Sequence, residues 1–303
     1  LHVRAATDVG VAIVELLRVF TKPGDKVLFS SPVYQNFYTW MRETHVEMVD
    51  VPFRIDSQSS DQTGWSHDWA GIEAAYESGI AVHLLCSPHN PLGKVYTSEE
   101  LLRIAELAKQ YGVVVISDEI HAPLTFKEQP FIPFLSVSEA AAEVGVAVSA
   151  ASKGWNIAGL KCAIIISQTE KMHEKLNQLP PALHYRASLL GAFATVAAFE
   201  KGEPWLDQAI EILDENRQLI ANLISARIPA VKYAMPHCSY LAWLDVSALN
   251  LGEDPGAALI EKAKVAFNSG HMYGALGKSH VRFNFATSPA IITEAIERIA
   301  RVL

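Results

Sequence analysis

The sequence has no apolar run long enough to cross a bilayer: its longest, such as Ile80 to Cys86 and Cys162 to Ile166, stop well short of that length. No cluster of lysine or arginine appears, and 33 acidic residues against 25 basic ones leave a net charge of −8. A nucleic-acid groove needs a dense cationic face, so that class is excluded. Cysteine is scarce. Cys86, Cys162 and Cys238 stand far apart, with neither disulfide nor metal spacing, which points to core positions in a reducing, cytoplasmic compartment. There is no internal repeat, no low-complexity tract and no signal-peptide pattern. The sequence opens at Leu1 rather than methionine, and a segment ahead of it is expected.

Half of the 303 residues are apolar, enough for one large core or two unequal ones. Val9, Ala12, Ile13, Leu16, Leu17 and Phe20 fall at helical spacing, and Lys22-Pro-Gly-Asp25 stops that helix before the short apolar run Val27 to Phe29. The alternation continues: Tyr34 to Thr44 helical, Val46 to Val51 extended, Trp69 to Glu77 helical, Ile80 to Cys86 extended. Thr97 and Glu100 form a capping box ahead of an amphipathic stretch to Tyr111, and Val113 to Ile116, Val144 to Val148 and Cys162 to Ile166 read as further strands. This is the pattern of a mostly parallel sheet covered on both faces, whose ligands bind beyond the carboxyl ends of the strands. From about Trp205 the texture changes to a long charged helix reaching about Ala226. Short strands at Val231 to Met235, Tyr240 to Asp245 and Val281 to Phe285 follow, with helices from Pro255 to Phe267 and at the C terminus. The expectation is a three-layer α/β/α large domain over 1–205 and a smaller α+β domain over 206–303.

Three strand ends carry polar residues: Ser87-Pro-His-Asn-Pro-Leu-Gly93, Ser117-Asp-Glu-Ile-His121, and Ser149-Ala-Ala-Ser-Lys153 with the following Gly154 to Lys161. Singly, each reads as a turn or a solvated surface residue. Together, on one edge of one sheet, they suit pyridoxal 5'-phosphate, which needs an amine for its aldehyde, an acid for its pyridine nitrogen and donors for its phosphate. Lys153 would supply the amine and later act as base on the Cα proton, and Asp118 would hold the ring protonated. Asn90 would donate to the phenolate oxygen, and Tyr34 would stack on the ring. Ser152, Lys161 and the backbone amides of Val9 and Gly10, at a helix start, would meet the phosphate.

Pro32-Val-Tyr34, Pro88-His-Asn-Pro91, Asp118-Glu-Ile-His121, Ser152-Lys153 with Asn156-Ile-Ala-Gly-Leu-Lys161, and Tyr240-Leu-Ala-Trp-Leu-Asp245 resemble, as a set, a fold-type I pyridoxal phosphate enzyme of the class I/II aminotransferase superfamily. More narrowly they are similar to its cystathionine β-lyase and carbon-sulfur lyase branch. The resemblance implies that Lys153 is the Schiff-base lysine, that Asp118 pairs with the pyridine nitrogen, that His121 joins the cofactor-binding set, and that Arg282 holds the substrate carboxylate alongside Tyr34 and Asn90. It also implies an amino-acid substrate, a homodimer with sites at the subunit interface, and an N-terminal arm ahead of Leu1. Aminotransferases of the superfamily carry a tyrosine and an arginine where this chain has His121 and Lys161, which favours elimination to pyruvate, ammonia and a thiol over transamination.

Two departures stand out: Asp8 occupies a position where relatives carry glycine, and Cys238-Ser-Tyr240 replaces a Gly-Thr-Tyr turn. A metal hydrolase built on Asp118, Glu119 and His121 is disfavoured, because neighbours on a strand point to opposite faces and no second cluster completes a site. A non-catalytic regulator on the same fold is disfavoured by the intact Lys153, Asp118 and Arg282. His45, His67, His184 and His271 read as surface or structural.

Overall fold

The computed structural model describes residues 1–55 and 63–302. Its strands are β1 (His2–Ala6), β2 (Lys26–Phe29), β3 (Glu47–Asp50), β4 (Arg54–Ile55), β5 (Trp65–Ser66), β6 (Ile80–Cys86), β7 (Val114–Asp118), β8 (Gly145–Ser149), β9 (Ala163–Ser167), β10 (Lys232–Tyr233), β11 (Leu241–Asp245), β12 (Asn268–Ser269) and β13 (His280–Asn284). Seven of them form the central sheet, in the order β1-β9-β8-β7-β6-β2-β3. β3, β2, β6, β7 and β8 pair in parallel, whereas β9 is antiparallel to both β8 and β1.

Parallel strands need crossovers, and helices supply them on both faces. The first four helices are α1 (Val9–Phe20), α2 (Asn36–Glu43), α3 (Trp69–Glu77) and α4 (Ser98–Tyr111). The period-2 alternation of strand side chains divides the core between the faces. Val27, Phe29, Leu84, Cys86, Ile116, Val146 and Val148 pack with Ile13, Leu16 and Leu17 of α1 on one side. Leu28, Leu85, Val115 and Ala147 pack with Ile72 of α3 and Leu101, Ile104 and Ala105 of α4 on the other. The capping box at Thr97 and Glu100 opens α4, and Gly112, at φ 70°, closes it in the left-handed region that glycine favours.

The C-terminal part has its own four-stranded antiparallel sheet, in the order β10-β11-β13-β12, and a core of Ile220, Ile224, Leu244, Val281, Phe283 and Ile296. We propose the division near residue 205 on this change of sheet and core, with the helix Glu203–Arg227 linking the two parts. The segment 236–240 is stitched back onto the large part. His237 N–H donates to the Gly93 carbonyl at 2.8 Å, Ser239 N–H to that of Leu124 at 2.7 Å, and Phe126 N–H to that of His237 at 2.9 Å. Buried Arg217 joins the same seam: it donates to the Pro236 carbonyl at 2.8 Å, pairs with Glu128 and lies over the Phe126 ring.

Several elements differ from the sequence reading. β1 is a strand that the sequence reading did not mark, and β9 runs against its neighbours, because an apolar run carries no sign of direction. α2 starts at Asn36 rather than Tyr34, and the helix from Pro255 ends at Ala263, where Lys264 turns left-handed at φ 58° before β12.

Candidate active site

The carboxyl ends of β2, β6, β7 and β8 deliver Tyr34, Asn90, Asp118 and Lys153 to one edge of the sheet. The reversal of β9 brings its start, and so Lys161, to that same edge. β1, antiparallel to β9 with Ala6 opposite Ala163, ends beside it and hands on to Asp8 and α1. A cavity of about 560 Å³ lies there, a size suited to a small-molecule ligand. All ten residues singled out from the sequence line it: Lys153, Asp118, Asn90, Tyr34, His121, Ser152, Lys161, Val9, Gly10 and Arg282.

Asp118 is buried, and one carboxylate oxygen accepts the Ile120 N–H at 3.2 Å. Burial pushes its carboxyl up to about 7, partly offset by that N–H and by the Lys153 charge. A carboxylate so placed gains from a cationic partner in the cavity. Lys153, on the short helix Ala151–Gly154, is half-buried, and its amine makes no hydrogen bond or ion pair among the described residues. Glu119 points to the other side of the strand, accepting from Phe134 N at 2.9 Å and Ser117 Oγ at 3.0 Å, and so serves the core. His121 is buried with Nδ1 unpartnered, and burial, followed by the Lys153 and Arg282 charges, lowers it to about 3, so the ring is neutral.

Arg282, on β13, donates to Asn90 Oδ1 at 3.2 Å and to Asn268 Oδ1 at 3.0 Å, and its guanidinium lies over the Tyr273 ring. No carboxylate neutralises it among the described residues, so the fork is held by amides and an aromatic face while its charge stays available. Because a guanidinium only donates, it fixes the Asn90 amide with oxygen inward and leaves Nδ2 to donate elsewhere. Tyr34 takes a hydrogen bond from Asn36 Nδ2 at 2.9 Å and meets Trp40 edge-on. His89 lies behind the cavity wall, its Nε2 donating to the Pro32 carbonyl at 2.7 Å and its Nδ1 bonded to Tyr96 OH at 2.8 Å, which ties the two loops carrying Tyr34 and Asn90.

At the other end stands the first turn of α1, whose Val9 and Gly10 N–H groups have no intrahelical acceptor. Gly10 is required by packing: a Cβ there would lie 2.9 Å from the Trp40 indole. Asp8 caps the helix, accepting Val11 N–H at 2.9 Å, and its second oxygen pairs with Lys161 Nζ at 3.1 Å. Sequence reasoning marked Asp8 as unusual without finding this pair. It also missed Asn268 and Tyr273 as supports of Arg282, and Cys86 and Cys162, read as core, line the cavity as well as being buried. Of the other histidines, His67 is buried among Phe53, Trp69 and Tyr96, and His184 bonds the Ala5 carbonyl.

The pyridoxal phosphate expected from the sequence fits this donor set. A buried carboxylate suits a protonated ring nitrogen, a free amine suits an aldehyde, and a helix start with Ser152 and Lys161 suits a phosphate. Comparison with known proteins points the same way. The model of the family described as aminotransferase class I and II matches residues 4–299. A cystathionine beta-lyase of Corynebacterium glutamicum is 34% identical over 284 residues, 94% of this chain and 73% of its own. One from Bacillus subtilis is 33% identical over 294 residues, 95% of this chain and 74% of its own. The crystal structure of cystalysin from Treponema denticola, which contains a pyridoxal 5'-phosphate cofactor, superposes with a TM-score of 0.92 at 27% identity, covering 99% of this chain and 76% of that one.

Proposed function

The chain belongs to the class I and II aminotransferase family, and from that premise we propose that it is a pyridoxal 5'-phosphate-dependent carbon-sulfur β-lyase. Its substrate is cystathionine or a related cysteine thioether, and with one water the products are a thiol, pyruvate and ammonia. The observation that carries this reading is the joint placement of the free Lys153 amine, the buried Asp118 carboxylate and the unneutralised Arg282 fork around one cavity.

When bound, the cofactor supplies an aldehyde that takes up an amine and a ring that accepts the electron pair released at Cα. Arg282 grips the substrate carboxylate through two parallel hydrogen bonds, with Asn90 and Asn268 holding the guanidinium in plane. Lys153 Nζ, the attachment point, takes the Cα proton once freed by the substrate amine, and the thiolate then departs from Cβ. Asp118 would hold positive charge on the ring nitrogen, Asn90 Nδ2 would donate to the ring oxygen, and Tyr34 would cover a ring face. Val9, Gly10, Ser152 and Lys161 take the phosphate. His121, kept neutral by burial and then by the Lys153 and Arg282 charges, completes the wall with Tyr240.

The protein works as a homodimer, an arrangement supported by the exposed apolar side chains of the helix Leu189–Lys201. A cytoplasmic place is consistent with the three free cysteines, and a role in methionine biosynthesis follows from the reading of cystathionine as substrate. The test is the visible spectrum of the purified protein, borohydride reduction with mass mapping of the modified residue, and assay of pyruvate and free thiol from cystathionine. The expected result is a reduced adduct on Lys153 and equal yields of pyruvate and thiol. Glutamate formation from an amino acid and 2-oxoglutarate, without pyruvate release, would select an aminotransferase instead.

A further inference from the structure

The phosphate end of the cavity contains an anion of the protein's own. Asp8 draws on both kinds of donor assigned there: a first-turn N–H of α1, through Val11, and the Lys161 ammonium. We propose that Asp8 sets the strength of cofactor retention, its carboxylate competing with the cofactor's phosphate for Lys161 and setting a like charge beside it at the start of α1. This rests on the reading of the cavity as a pyridoxal phosphate site.

The argument is one of charge and placement. A phosphate monoester carries close to two negative charges at neutral pH, so a carboxylate lining the same end of the cavity repels it while holding the lysine meant for it. The pair is displaceable, since the Asp8 and Lys161 side chains are 38% and 56% exposed and a solvated ion pair holds weakly. The Lys161 backbone does not depend on Asp8. It sits at φ 53°, a left-handed conformation costly for a lysine, imposed by the turn Ala158–Leu160 that it closes. Removing the charge therefore leaves Lys161 rooted beside the start of α1 with its ammonium released from the pair. Helix capping does not require the charge either, because asparagine and serine cap as well as aspartate. Position 8 can hold α1 without charge, and here it holds it with one.

The experiment compares the wild-type chain with Asp8→Asn and Asp8→Ser, which keep the cap. Each full-length protein is stripped with hydroxylamine and refilled with pyridoxal 5'-phosphate or with pyridoxal, which lacks the phosphate, and binding is followed by the visible band. Both variants are expected to bind pyridoxal 5'-phosphate about fivefold more tightly, which is about the worth of a partly solvated charge contact. Pyridoxal affinity should stay within about twofold, and the gap between variants and wild type should narrow as salt screens it. Inorganic phosphate should compete better against refilling in the variants. The inference is overturned if the variants hold pyridoxal 5'-phosphate no more tightly than wild type, or if pyridoxal gains equally. If no protein, wild type included, develops the band or a borohydride-fixed adduct on Lys153, the cofactor reading fails and this inference with it. A band of equal affinity in all three removes the inference alone.

Discussion

Asp118 pays for its position in a way that can be measured. Its carboxyl, ordinarily at 3.8, is pushed up to about 7 by burial, so the folded chain keeps the proton that the unfolded chain gives up. A folded-state value raised in this way contributes stability below the unfolded value, and that contribution is lost as pH rises from near 4 through about 7. Asp118→Asn should therefore be more stable than wild type at pH 8 in protein stripped of cofactor, by on the order of 4 kcal/mol, and no more stable near pH 4, as read from melting at the two pH values. The same variant should lose turnover, because a neutral amide cannot hold a charged ring nitrogen. An Asp118→Asn melting difference that does not change with pH would contradict the account. At Arg282, Lys keeps the charge and loses the planar fork, so Arg282→Lys should cut kcat/KM by about 100-fold, chiefly through KM, in steady-state assays with cystathionine. These two residues also mark how far the site could be read from the sequence. Asp118 and Lys153 announce themselves as polar groups just past apolar strands. The supports of Arg282 do not: Asn268 reaches it through the pairing of β12 with β13, and Tyr273 sits in a short turn, so neither has a local signature.

At the scale of elements, what was legible is what local chemistry decides. Thr97 and Glu100 cap α4 reciprocally, as their spacing predicts, and Thr97→Ala should lower stability by about 1 kcal/mol in chemical denaturation. What was not legible depends on partners distant in sequence. β1 is a weakly alternating edge strand recognisable only once β9 lies beside it, and the direction of β9 is absent from its run of isoleucines. Yet those two strands bring Asp8 and Lys161 to the cavity, so the least readable elements shape its phosphate end. Gly93 belongs to the same scale. It holds φ 66°, and a Cβ there would lie 2.2 Å from Pro236 Cβ. Gly93→Ala should cost more than about 1 kcal/mol, and it should weaken substrate binding as well as stability, since Asn90 lies three residues away. Unchanged KM in a destabilised Gly93→Ala protein would confine its role to folding.

For the whole molecule, the sequence suggests a parallel-sheet part and a later α+β part, because the change from continuous apolar strands to a charged helix with short strands is visible in composition, and the same division is the one we propose. It did not show which surface remains apolar after folding. Leu189, Leu190 and Phe193 are 70%, 72% and 66% exposed on one helix, a grouping of large apolar side chains of the kind that marks an interface. If the proposed homodimer forms through this helix, Phe193→Glu should shift it to monomer in sedimentation velocity, and an unaltered sedimentation coefficient would place the interface elsewhere. Among the described residues no helix is long and apolar enough to cross a membrane.

The stitching of residues 236–240 onto Gly93, Leu124 and Phe126 limits how this enzyme can move. Asn90 and Arg282, one from each part, meet beside that suture, so a swing of the C-terminal part large enough to separate them must tear out main-chain bonds and dislodge Arg217 from its proline carbonyl. On the proposed reading, admission of substrate then falls to the rim of the cavity, and the Arg282 fork is set before the substrate arrives.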